Sequence, residues 1–150
     1  MQKKIVSTLV AALVVLSVGL ATGCGKGVPK SSSPEVQELV QQIVRDLLRD
    51  SVSAACYEQI SGIPIGVVGI KVDHAWLTEK AKTEEEAKSA LEAVNSAMDQ
   101  IQILLENIRT DRVEKEIGRI HCRADVRVGD ATDGIVFTAQ YNDDGDLYVE

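Results

Sequence analysis

The chain has 150 residues, 45% of them hydrophobic and 26% charged, which fits one globular domain and excludes a disordered or multidomain protein. Aromatic residues are only 3%, so the core has to be assembled from Val, Ile, Leu and Ala. A formal charge of -7 excludes recruitment to nucleic-acid phosphate or to anionic head groups by bulk electrostatics, so no nucleic-acid partner is expected.

The first element is a leader. MQKK supplies a short positive start, and IVSTLVAALVVLSVGLAT follows as eighteen residues without a charge. This is the layout of a bacterial secretory signal, whose positive end stays inside while the apolar stretch enters the membrane. A retained transmembrane anchor is the rival reading. At a rise of about 1.5 Å per residue the stretch could just span a hydrocarbon core of roughly 30 Å.

Leu20, Ala21, Thr22, Gly23 and Cys24 close the apolar run. This stretch resembles the lipobox of bacterial lipoproteins, in which small residues precede a cysteine that is acylated and becomes the new N-terminus. The resemblance covers the first 24 residues only. It implies a signal peptide over residues 1–23, lipidation (palmitate and diacylglycerol) at Cys24, and attachment to the membrane through that lipid. Gly25 after the cysteine implies the outer membrane, facing the periplasm, in a Gram-negative organism. Loss of the leader removes Lys3 and Lys4 and takes the formal charge from -7 to -9.

Residues 24–33 are Gly-, Ser-, Pro- and Lys-rich and read as a flexible tether giving a stand-off of very roughly 20 Å. Residues 34–150 then form one domain. Ser33 caps a helix with Pro34 at its first position, and Val36, Leu39, Val40, Ile43, Val44, Leu47 and Leu48 make one apolar stripe. Gly62 and Pro64 end it.

Alternation of Val68, Ile70, Val72, His74 and Trp76 predicts a strand over residues 67–77. Thr83 and Glu86 have capping-box spacing, and the run Ala87, Leu91, Val94, Met98, Ile101, Leu105, Ile108 predicts a second helix lying on a sheet. Ile120, Cys122, Ala124, Val126 and Val128 alternate with charged residues in a strand, and Gly118 is expected to mark a bulge or bend. A strand through Ile135, Phe137, Ala139 and Tyr141 meets a hairpin turn at residues 142–145, and a last strand starts at Leu147.

The expected fold class is α+β: two main helices on one face of a four-stranded, mostly antiparallel sheet, in the order α-β-α-β-β-β. By element order it is similar to cystatin-like folds, an analogy that carries no function.

With Cys24 assigned to lipid, Cys56 and Cys122 remain as an even pair in an exported chain. A disulfide between them is expected, with two buried thiols as the alternative. His74, Trp76 and Phe137 could line a ligand pocket between helices and sheet, although such residues more often fill a core. The two histidines have no ligand cluster at metal spacing, Asp143, Asp144 and Asp146 read as a turn, and Arg119, Arg123 and Arg127 form a stripe common on exposed sheet faces. No metal or cofactor is expected. No nucleophile elbow, phosphate loop or paired-carboxylate motif is present, so the chain reads as a non-enzyme. The expectation is an envelope accessory or assembly factor working through protein contacts. A small-ligand module and an inhibitor or immunity protein for an exported enzyme are the alternatives.

Overall fold

The computed structural model describes residues 27–65, 69 and 71–150. The expected leader and Cys24 lie outside these residues. Helix α1 (Pro34–Ser61) begins as the sequence predicts, with Ser33 Oγ accepting from the Val36 amide and Pro34 in the first turn. It stops at Gly62, whose positive φ of 70° suits a residue without a Cβ. Helices α2 (His74–Lys80) and α3 (Glu85–Gln100) follow, and then four strands: β1 (Ile103–Glu114), β2 (Arg119–Val128), β3 (Ala131–Tyr141) and β4 (Leu147–Val149). The strands form one antiparallel sheet in sequential order. Among the described residues no helix is long and apolar enough to cross a membrane.

The chain is therefore α+β, but among the described residues the order is three helices and then four strands, not α-β-α-β-β-β. Two stretches change type. The strand expected over residues 67–77 is instead occupied at its end by α2. Asp73 decides this, because its side chain accepts from the Trp76 amide and opens a helix where the apolar alternation pointed to a strand. Val68 and Ile70 lie outside the described residues.

The second expected helix ends at Gln100 rather than running on to Ile108. No Gly or Pro marks the stop, and Ile101 simply turns extended. Beyond it, Ile103 pairs with Val128 and Leu105 with Val126, so an apolar spacing that fitted a helix also fitted a strand. The ladder slips between Glu106 and Arg109, around Asn107 at φ 52°, and this bulge returns Ile108 to the apolar side. Gly118, at φ 64°, closes the β1–β2 turn. The turn at residues 142–145 forms as expected, with the Asp146 amide donating to Asn142 Oδ1 at 2.7 Å. Thr83 does not cap α3: Glu84 holds that position, and the Thr83 hydroxyl donates back to the Lys80 carbonyl.

Two apolar clusters organise these elements, and α1 runs through both. Its N-terminal half places Val36 and Val40 on Ile120, Cys122, Ala124, Phe137 and Ala139 of the sheet. Its C-terminal half places Tyr57 among Val72, Leu77, Ala87, Ala90, Val94 and Met98. Helix α3 thus packs mainly on α1 and α2, and the sheet's inner face is covered chiefly by one helix rather than two. The small Ala87 and Ala90, both fully buried, let α3 approach α1 closely.

Part of the expected tether also belongs to the fold. Pro29 is buried, Val28 packs on the sheet cluster, and Ser31 Oγ accepts from Thr110 Oγ1 of β1 at 2.9 Å. Residues 28–31 are thus held by the domain rather than free to act as a tether.

Candidate functional site

The three residues expected to share a pocket are separated. Phe137 belongs to the sheet cluster, while Trp76 packs in the helical cluster. His74 sits at the junction of α1 and α2 and is structural: its backbone N–H donates to Asp50 Oδ1 at 3.0 Å, and its Nδ1 lies 3.3 Å from Ser53 Oγ. Ser53 is fully buried and gives its one proton to the Arg49 carbonyl at 2.7 Å. Its oxygen can then only accept, so His74 carries its proton on Nδ1.

A cavity does exist around Trp76, within the helical half. It measures about 330 Å³ and is lined by Tyr57, Ile63, Ile65, Val72, Trp76, Lys80 and Glu84. Tyr57 reaches it from the last two turns of α1, and Trp76 and Lys80 from one face of α2, four residues apart. The Tyr57 and Trp76 rings meet edge to face with centroids 5.0 Å apart at 78°, an arrangement that fixes both orientations.

Lys80 Nζ stands 5.7 Å from the centre of the Trp76 ring and 2.7 Å from Glu84 Oε1. The hydrogen bond to Glu84 and its negative charge hold the Lys80 ammonium above its usual pKa. The rim is thus a paired cation and carboxylate, and the interior is aromatic and aliphatic. Such a chamber can hold an apolar body and offer donor and acceptor groups at its mouth. Sequence reading missed Tyr57, Lys80 and Glu84. The usable signal was the Trp76 to Lys80 spacing, which has meaning only once α2 is known to be helical.

A second concavity, of about 510 Å³, lies between the start of α1 and the β3–β4 hairpin, where Glu35, Glu38 and Asp146 make it acidic. The Tyr141 hydroxyl donates to Glu35 there at 3.4 Å, and burial, with the Glu35 charge, holds its pKa above the usual value. Among the described residues, no group of three His, Cys, Asp or Glu side chains is arranged to hold a metal ion.

The arginine stripe on the outer sheet face is internally matched. Arg119 donates to Gln140 at 2.8 Å, Arg123 to Asp111 at 2.6 Å and Arg127 to Glu106 at 2.6 Å. Cys56 and Cys122 are free thiols rather than a bridge. Cys56 packs in the helical cluster and Cys122 in the sheet cluster, so they serve different parts of the core. Burial, the main cause, raises the Cys122 pKa and disfavours its thiolate.

Comparison with known proteins finds no matching family model, no matching curated protein and no matching solved structure.

Proposed function

We propose that this chain is a lipid-anchored, non-enzymatic protein of the cell envelope, acylated at Cys24, that works by binding a small apolar ligand. In a Gram-negative organism its place is the outer membrane, facing the periplasm. The observation that carries the binding reading is the Tyr57–Trp76 cavity. Its volume, about 330 Å³, falls at the lower end of the size used for small molecules, and its lining joins two aromatic rings to a polar rim. The expected ligand has a compact aromatic or aliphatic body and one hydrogen-bonding group, which meets Lys80 and Glu84 at the mouth.

Trp76 is the sole tryptophan, so all tryptophan emission comes from a ring that lines this cavity. Titration with 1-anilinonaphthalene-8-sulfonate should quench Trp76 saturably, and Val72→Phe, which fills the chamber without adding a second tryptophan, should abolish the saturable phase while the fold persists by circular dichroism. Linear, non-saturating quenching that is the same in both proteins refutes the reading.

A second reading, an accessory or assembly factor acting through protein contacts, has its own observation. Val136 (79% exposed) and Tyr148 (55% exposed) stand as large apolar side chains beside the arginine stripe of the outer sheet face. Affinity capture after envelope solubilisation should return one specific partner, and Val136→Asp should lose it. Capture that is unchanged by Val136→Asp counts against that face.

A further inference from the structure

The docking of residues 28–31 has a consequence for how an anchored domain can sit. Val28 packs against the sheet cluster, Pro29 is buried, the Ser33 amide donates to the Lys30 carbonyl at 2.9 Å, and Ser31 is bonded to Thr110. The domain therefore holds the chain as far back as Val28, and only residues 25–27 lie between that point and Cys24. Fully extended, the step from Cys24 to Val28 reaches at most about 14 Å. An acylated cysteine lies at the edge of the hydrocarbon, and each head-group layer occupies roughly 6 Å. What remains is about 8 Å, less than the 10 Å or so across a single helix.

We infer that, with Cys24 acylated, the domain rests directly on the bilayer at the corner where residues 28–31 cross β1 beside Arg109, Thr110 and Asp111, with phospholipid head groups as the partner surface. This rests on the lipid-anchor reading above. The corner offers two exposed cations, Lys30 and Arg109, and its carboxylate, Asp111, is paired with Arg123, on a protein whose processed chain carries -9 overall. Head groups attract these two while the acidic remainder is repelled, so the charge distribution turns the same corner toward the surface that the short linker does.

The test uses the full chain, lipidated in bacteria and reconstituted in phosphatidylcholine and phosphatidylglycerol vesicles that contain a nitroxide head-group lipid. A fluorophore is attached through Lys30→Cys or Arg109→Cys in a Cys56→Ala, Cys122→Ala background. The comparison protein carries an insertion of about twelve Gly and Ser residues after Gly25, which adds roughly 20 Å of reach. Quenching at both positions should be at least about twofold stronger with the native linker than with the long one, because only the short reach holds the corner at the lipid.

Acetylation of native Lys30 by a membrane-impermeant reagent, read by mass spectrometry, repeats the comparison without cysteine replacement. It should be severalfold slower in the native-linker protein. Equal quenching and equal acetylation in two proteins that both float with the vesicles overturn the apposition and leave the anchor standing. A wild-type chain that fails to float, like Cys24→Ser, overturns the anchor and the apposition together.

Discussion

At the scale of single residues, Asp73 has the largest effect on what the chain becomes. Its carboxylate accepts from the Trp76 amide at 2.9 Å and so fixes the start of α2, the helix that carries Trp76 and Lys80 to the cavity. That amide, with further help from Lys71 at 3.5 Å, holds the Asp73 pKa below its ordinary 3.8. A carboxylate whose pKa is depressed by folding stabilises the native state fully above its unfolded value, and this is lost as pH falls through the lower folded value. Thermal melts below about pH 4 should accordingly lose stability in the wild type. Asp73→Asn keeps an acceptor at the cap and should flatten this part of the acid limb, whereas Asp73→Ala should lower the melting temperature at neutral pH as well. Identical acid limbs in wild type and Asp73→Asn would remove the cap from this account.

At the scale of elements, the closeness of α1 and α3 depends on small side chains. Ala90 is fully buried in the helical cluster, and Leu77 from α2 is fully buried in the same cluster. Ala90→Leu should cost about 1 to 3 kcal/mol by overpacking, and Leu77→Ala about 2 to 5 kcal/mol by leaving a hole, both read from urea denaturation. Glu92→Leu, at an exposed position of α3, should stay close to the wild type. The two elements misread from sequence fail for one reason. Apolar residues near the helix ends fit periods of both two and three to four, and arbitration came from outside the segment. Leu105 became a strand residue because Val126 was there to pair with it, and Trp76 became helical because Asp73 capped its turn.

At the scale of the whole molecule, one helix ties two cores together. Helix α1 is 28 residues, so it extends about 42 Å from the sheet cluster to the aromatic cavity. Rupture of either cluster removes packing from the same continuous helix, and the molecule should unfold in one transition. Two native probes can test this. Trp76 emission reports the helical half, and reaction of the buried Cys122 thiol, read on its own peptide by mass spectrometry so that Cys56 does not contribute, reports the sheet half. Their urea midpoints should coincide. A midpoint for Trp76 well below that for Cys122 would mean that the halves melt separately and that α1 frays from its C-terminal end.

Local signals were enough to set the beginning and end of α1, the alternation that orients β2 and β3, and the hairpin at residues 142–145. Each is encoded locally, by a cap, a glycine at positive φ, a run of alternating side chains or a turn motif. Tertiary structure alone decided the rest: that α3 lies on α1 instead of on the sheet, that β1 replaces the end of a helix, and that His74, Trp76 and Phe137 fall in different places. Those outcomes depend on partners distant in the chain, such as Asp50 for His74 and Ser31 for Thr110, and no local pattern in the sequence states which distant residue will arrive.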